Sequence, residues 1–299
     1  MDERFCGVAL GNFDGVHLGH RTLLERLKEK SKELNCSSMV FTFKQHPQNV
    51  LNKNSKLPLI YPADIKREII EGIGIDFIEM CDFTKDLSIM EPEKFLREVL
   101  LKRFPIKYIV VGFNYRFGHN GRGDIEFLTG FGQREGIPVE VVDPVCVDGE
   151  VVSSSLIRKL LLSGDIKRAN RYLGGNFFIR GEVKRGDGRG KGMGFPTANI
   201  DLSQDLLLPA KGVYITHTNC RGASFPSITN VGIKPTFSGN KMVIETNIRG
   251  LNEEIYNEVI QIEFIDRIRD EKKFENKEEL KKQLELDLEY MENYLYINK

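Results

Sequence analysis

The run Gly11-Asn12-Phe13-Asp14-Gly15-Val16-His17-Leu18-Gly19-His20 sits between two stretches of different periodicity. Before it, residues 5–10 are mostly apolar and read as a buried strand. After it, Leu23, Leu24, Leu27 and Leu34 recur at helical spacing with charges between them. The run is therefore a strand-to-helix loop, the joint of a sheet with helical crossovers. Its glycines let the backbone approach a ligand closely, and the new helix offers free N–H groups to an anion. His17 and His20 stand three residues apart where that helix starts, so both imidazoles can face the same anion. That is a phosphate site suited to the charge that develops when an α-phosphate is attacked. Capping the helix or binding a metal would use the same pair.

The alternation continues. Residues 39–43 read as a second strand, and His46 follows at its carboxyl end, where ligands of open α/β sheets lie. Residues 62–73 form a helix with Ile65, Ile69, Ile70 and Ile73 on one face. Residues 77–81 are a third strand, 93–103 a helix, 108–111 a fourth strand and 138–142 a fifth, with Asp124 capping a helix that runs to about residue 134. This pattern predicts a parallel, doubly wound α/β sheet. The fourth strand empties into a loop where Asn114, Arg116 and Phe117 mix with glycines. Aromatic planes can flank a purine or flavin ring and arginines can hold phosphate, although a plain surface loop would look similar. Ser153, Ser154, Ser155 and Arg158 open a further helix, as caps or as a second phosphate grip.

Near residue 175 the character changes. Residues 177–184, 212–218, 227–232, 242–249 and 258–265 are strand-like, with no convincing helix before Glu275. They predict a small antiparallel β-barrel followed by a C-terminal helix over 276–297. On that helix Leu280, Leu284, Leu288, Met291 and Leu295 form a stripe expected to pack on the barrel. Residues 185–199 alternate glycine with Arg189 and Lys191 and end in Gly194-Phe195-Pro196-Thr197-Ala198-Asn199. They fit neither the P-loop nor the dinucleotide-binding glycine pattern. The alternating glycines with Arg189 and Lys191 can wrap a polyphosphate. Thr197 and Asn199, alternating along an extended chain, can turn both oxygens toward one hard cation such as Mg²⁺.

The motifs carry a resemblance that covers nearly the whole chain. Gly-x-Phe-Asp-Gly-x-His-x-Gly-His resembles the signature of the nucleotidyltransferase superfamily, which moves AMP from ATP to an acceptor and releases pyrophosphate. It is followed in order by Phe43-Lys44-Gln45-His46-Pro47, by the loop from Val111-Gly112 to Phe117-Gly118, and by Ser153-Ser154-Ser155-Leu156-Ile157-Arg158. With these, residues 7–175 resemble the FMN adenylyltransferase half of the bacterial bifunctional riboflavin kinase/FAD synthetase family. Gln45 stands where that family usually has proline, and Asn114 where it often has aspartate. The resemblance implies ATP held by Gly11, Phe13, Gly15, His17, His20, Ser153, Ser154, Ser155 and Arg158, with His17 and His20 catalytic. It implies FMN held by His46, Asn114, Arg116 and Phe117.

Gly-x-Gly-Phe-Pro-Thr-Ala-Asn, ending at Asn199, resembles the riboflavin kinase signature. Asn230-Val231-Gly232 through Pro235-Thr236, Glu245-Thr246-Asn247 and Arg269-Asp270-Glu271-Lys272-Lys273-Phe274 match the same family. This implies Glu245 as the base on the ribityl 5′-hydroxyl, and ATP held by Gly190, Lys191, Gly192, Gly194, Pro196, Thr197 and Asn199. Thr197 and Asn199 would hold Mg²⁺, and Asn230, Arg269 and Phe274 the flavin. The expected domains are 1–175 for adenylyl transfer and 176–299 for the kinase. The expected reactions turn riboflavin and MgATP into FMN, then FMN and a second ATP into FAD and pyrophosphate. A kinase with a degenerate adenylyltransferase half and a non-catalytic flavin sensor remain as alternatives.

Composition narrows the partners. Lys plus Arg equals Asp plus Glu at 43 each, so nothing favours nucleic acid. Five scattered cysteines without a C-x-x-C pair indicate neither a disulfide framework nor a zinc site and suit a reducing cytoplasm. No apolar run nears the roughly 18 residues of a membrane span, and the N-terminus enters a strand without a signal peptide. Small-molecule substrates are the expected partners of a monomer or weak homo-oligomer.

Overall fold

The computed structural model describes residues 5–52, 56–186, 195–202, 206–236, 239–251 and 253–297. The chain falls into two compact units, residues 1–154 with 205–207, and residues 155–204 with 208–299.

The first unit is a five-stranded parallel sheet in the order β3-β2-β1-β4-β5. The strands are β1 (Cys6–Leu10), β2 (Ser37–Phe43), β3 (Phe77–Cys81), β4 (Ile106–Gly112) and β5 (Val139–Val142). A short antiparallel pair follows, β6 (Cys146–Val147) with β7 (Glu150–Val151). Helices α1 (Leu18–Glu33), α2 (Pro47–Leu51), α3 (Ala63–Ile73), α4 (Lys85–Ser88), α5 (Pro92–Lys94) and α6 (Ile125–Glu135) fill the crossovers. Successive strand residues point to opposite faces, so the sheet builds two cores. Val8 and Leu10 pack with Phe41, Phe95, Leu100, Leu128 and Phe131 on one face. Ala9 packs with Val40, Val110, Leu23, Leu24, Leu27 and Ile70 on the other. Both faces are thus covered, as continuous apolar parallel strands require.

The helix expected over 93–103 starts as α5 but winds on as a π-helix over Phe95–Leu101. Phe95 and Leu100, five apart, are both buried, and the wider turn puts such a pair on one line.

In the second unit, α7 (Ser154–Ser163, its first residue belonging to the first unit) and α8 (Ile166–Leu173) precede the barrel. The barrel strands are β8 (Phe178–Lys184), β9 (Ala198–Asp201), β10 (Gly212–Cys220), β11 (Ala223–Thr236), β12 (Gly239–Ile248) and β13 (Val259–Arg269). They close in the order β10-β11-β12-β9-β8-β13, every pairing antiparallel. Helix α8 is tied to the barrel through Asn170, which donates to the Phe264 carbonyl at 2.8 Å and accepts from the Phe177 N–H at 2.8 Å.

Part of the barrel interior is polar. Thr216, Thr218, Ser227, Thr229 and Thr246 are fully buried, and their hydroxyls join in a chain at 2.8–3.0 Å. Each hydroxyl has one proton to give. Thr229 donates to Thr246, and Thr216 also donates to the Ser227 carbonyl at 3.1 Å, which anchors the chain to the β11 backbone.

The last helix, α9 (Lys277–Ile297), lays Met291 against Val213, Ile215 and Ile228, with Leu288 and Leu295 partly buried beside it. Leu280 and Leu284 are only half-buried. The deepest polar residue on this face is Asp287, whose carboxylate takes Nε and Nη2 of Arg269 at 2.9 and 2.7 Å.

Candidate active sites

In the sheet unit the strand order reverses between β1 and β4, so the loops leaving their carboxyl ends diverge and open a crevice. A cavity of about 420 Å³ lies there. Gly11, Asn12, Phe13 and His20 wall it on one side, and Asn114, Tyr115, Arg116 and Phe117 on the other. Phe43, Pro47 and Phe83 are among its apolar lining. Gly15, His17, His46, Ser153 and Ser154 are outside that lining. His46 caps α2 by accepting from the Gln48 N–H at 3.3 Å. Ser154, the last residue of the first unit, donates to the Asp14 carbonyl of the same unit at 2.8 Å. Ser155 and the buried Arg158 belong to the second unit.

The first loop is strained. Phe13 and Val16 have φ of 49° and 40°, a left-handed conformation that a β-branched residue rarely takes. Such backbone persists only where neighbours over-determine it. Here Asp14 accepts from the Ile60 N–H at 3.1 Å, and the Asn12 carbonyl accepts from Thr42 and Lys66, each at 3.0 Å.

His17 and His20 stack with ring centroids 3.7 Å apart and planes 15° from parallel. His17 Nδ1 accepts from the His20 N–H at 3.4 Å, capping α1 and leaving the ring proton on Nε2. Burial pushes His17 down to about 4. Burial, then His17, then Lys66 hold His20 well below the usual imidazole range. Both rings are therefore neutral at pH 7, and two imidazolium ions stacked this closely would repel. His20 Nδ1 is buried without a hydrogen-bond partner, at a residue that walls the cavity. A ligand atom placed there would satisfy it.

Lys66 escaped the sequence reading. It is buried, and its ammonium reaches the Asn12 and Phe43 carbonyls. Burial, opposed by Asp14, presses it down to about 8. The available signal was its position three, four and seven residues before Ile69, Ile70 and Ile73, a lysine on the apolar face of its helix.

In the barrel unit, strand register does the assembling. Glu245 on β12 lies directly opposite Asn199 on β9 and Asn230 on β11. Directly opposed residues share a sheet face, so three expected site residues form one row. Two glycines make room for it. A side chain at Gly186 would strike the Asn199 amide, and one at Gly232 would strike the Glu271 carboxylate and approach the Asn230 amide. Glu271, given no role from sequence, thus reaches the same end of the row. Asn247 donates to the Pro196 carbonyl at 2.8 Å and fixes the entry to β9. A second cavity, about 330 Å³, is lined by Pro196, Thr197, Thr246, Glu253, Glu254 and Tyr256. Arg269, held by Asp287, stands 6.0 Å from the Phe274 ring centroid. Gly190, Lys191, Gly192 and Gly194 lie outside the described residues.

Among the described residues no three His, Cys, Asp or Glu side chains cluster to hold a metal. Thr197 and Asn199 offer neutral oxygens, a donor set that fits a hard cation arriving already bound to phosphates. All five cysteines are free thiols.

Comparison with known proteins matches this division. The family model for FAD synthetase covers residues 1–156, and that for riboflavin kinase covers residues 173–295. Proteins named bifunctional riboflavin kinase/FMN adenylyltransferase align along nearly the full length. The one from Haemophilus influenzae is 32% identical over 95% of this chain and 92% of its own. That from Bacillus subtilis is 34% identical over 94% and 89%. A crystal structure described as a macrolide-efflux protein from Streptococcus pneumoniae superposes with a TM-score of 0.91 at 29% identity, over 98% of this chain and 95% of its own. Among the described residues no helix is long and apolar enough to cross a membrane. Two family matches in tandem and relatives of that name aligned along nearly the full length place the chain in one group: it belongs to the bifunctional riboflavin kinase/FMN adenylyltransferase family.

Proposed function

We propose that the barrel unit phosphorylates riboflavin with MgATP to give FMN, and that the sheet unit joins AMP from a second ATP to FMN, giving FAD and pyrophosphate. The observation that carries this reading is the presence of two separate sites of different build, each on the motifs of its own half.

In the kinase reaction Glu245 takes the proton of the ribityl 5′-hydroxyl as that oxygen attacks the γ-phosphorus, the bond from the γ-phosphorus to the β–γ bridging oxygen breaks, and ADP leaves. Its alignment with Asn199 and Asn230 supports the role. Thr197 and Asn199 would hold Mg²⁺, which when bound neutralises charge on the ATP phosphates. Gly190, Lys191, Gly192, Gly194 and Pro196 complete the nucleotide grip, while Asn230, Arg269 and Phe274 hold the flavin, Arg269 being fixed by Asp287 beside Phe274.

In the second reaction an FMN phosphate oxygen attacks the α-phosphorus of ATP. The bond to the bridging oxygen breaks, and pyrophosphate leaves. His17 and His20 act as neutral N–H donors to the charge that grows on the α-phosphate. Gly11, Phe13, Gly15, Ser153, Ser154, Ser155 and Arg158 hold the nucleotide, and His46, Asn114, Arg116 and Phe117 the FMN. Gln45 donates to the Phe83 carbonyl at 3.3 Å, and Asn114 keeps a polar side chain on the wall, so neither departure closes the cavity. Free thiols suit a reducing cytoplasm, where we place both reactions.

The test is to incubate the purified chain with riboflavin and MgATP and to separate the flavins by chromatography. FMN should appear first and FAD after it. FMN that never proceeds to FAD, also when supplied directly, would leave a kinase alone.

A further inference from the structure

Lys66 is 5% exposed, and burying an ammonium costs free energy that a methionine or leucine beside Ile69 and Ile70 would not. Its three protons are all directed at acceptors. They reach the Asn12 carbonyl at 3.0 Å, the Phe43 carbonyl at 2.6 Å and the Thr42 hydroxyl at 3.4 Å. Thr42, fully buried, donates to the same Asn12 carbonyl at 3.0 Å. One ammonium therefore ties the loop after β1 to the end of β2.

Two donors on one carbonyl set the plane of the Asn12–Phe13 peptide. That bond is trans, so its C=O and N–H point to opposite sides. With the carbonyl drawn toward Lys66, the Phe13 N–H is turned away from α3. Asn12 and Phe13 wall the cavity at the strand-order reversal, whereas Lys66 and Thr42 do not. The same peptide leads into Phe13, whose left-handed φ needs an external hold.

We infer that Lys66 is a positioning residue for adenylyl transfer: with Thr42 it clamps the Asn12 carbonyl and so holds the Phe13 N–H toward the nucleotide phosphates. The inference rests on the adenylyltransferase reading of the sheet unit. A donor held in place acts mainly on the charge that develops in the transition state, so its loss falls on kcat and not on KM.

The experiment uses the full chain and measures FAD formation from FMN and MgATP, with riboflavin phosphorylation by the same sample as a reference. Lys66→Met should lower kcat for FAD formation at least about thirtyfold, with KM for ATP changed less than about threefold. Thr42→Val, which removes one hydroxyl at constant volume, should lower kcat roughly three- to tenfold, and Thr42→Ser should restore it. A kcat for Lys66→Met at the wild-type value, or a loss confined to KM, overturns the clamp. If Lys66→Met does not fold, the Thr42 pair decides, and equal rates for Thr42→Val and Thr42→Ser overturn it. If the wild-type chain forms no FAD, the adenylyltransferase reading falls, and the clamp with it.

Discussion

The two sites are built by opposite means. In the sheet unit, loops leave neighbouring parallel strands at the point where their order reverses, and buried ionisable groups set their shape. Asp14, His17 and Lys66 are all largely shielded from water, and the backbone at Phe13 and Val16 is strained. In the barrel unit the row Asn199, Glu245 and Asn230 comes from register alone, on strands whose hydrogen bonds would align those positions whatever residues stood there. A loop site is costly to hold and must be over-determined. A register site is held by the sheet and needs only room, which Gly186 and Gly232 provide. The contrast predicts that chemistry fails first in the barrel and that positioning fails first in the sheet.

The largest effect expected is that of Glu245→Gln. It changes one proton acceptor and almost no volume, so kinase turnover should fall about 10²–10⁴-fold while FAD formation from supplied FMN stays normal. A wild-type kinase rate, with chemistry shown to limit, would remove Glu245 as the base. Next comes Asp287→Ala, which strands Arg269 and should cost the barrel about 3–5 kcal/mol. Urea unfolding followed through kinase activity should shift to lower urea, with FAD formation lost later; a common shift of both would break the contrast. Replacing His17 and His20 together with alanine should cut FAD formation at least about a hundredfold and spare riboflavin phosphorylation. The smallest effect is on pH dependence. Because burial holds the His17 imidazole down to about 4, it stays neutral until the solution is far more acidic than its ordinary 6.5. The acid limb of kcat/KM for FAD formation, which reports the free enzyme, should lie correspondingly low. A limb at the ordinary imidazole value that vanishes in a His17 variant would show the ring to be solvated.

Much of this was legible in sequence because it depends on neighbours along the chain. The five parallel strands are runs of apolar residues, and the loops after β1 and β4 announce themselves by glycine, histidine and arginine. The barrel was readable as a run of strands without helices. What stayed hidden depends on partners distant in sequence. Nothing along the chain tells that Asp287, on a helix beyond Arg269, takes two of its nitrogens. Lys66 shows its inward place in its spacing to Ile69, Ile70 and Ile73, but its acceptors on Asn12 and Phe43 lie far away in sequence, and nothing along the chain places Glu271 beside Gly232. The π-winding of residues 95–101 is equally invisible locally, because the burial of Phe95 and Leu100 together is decided by the sheet beneath them.

The hydroxyl chain inside the barrel bears on how this protein can change over generations. Because the hydroxyls of Thr216, Thr218, Ser227, Thr229 and Thr246 bond to one another in a chain, no member can be exchanged for a hydrocarbon without breaking a link. One Thr→Val step strands a neighbour's proton or lone pair in the buried interior, at about 1–3 kcal/mol. Replacing the whole set at once would leave nothing stranded and can be nearly neutral. The fully apolar version of this barrel is thus a near neighbour in energy but a distant one in single substitutions. The interior should be inherited as a block, its five positions kept together or lost together, while the residues around it drift one by one.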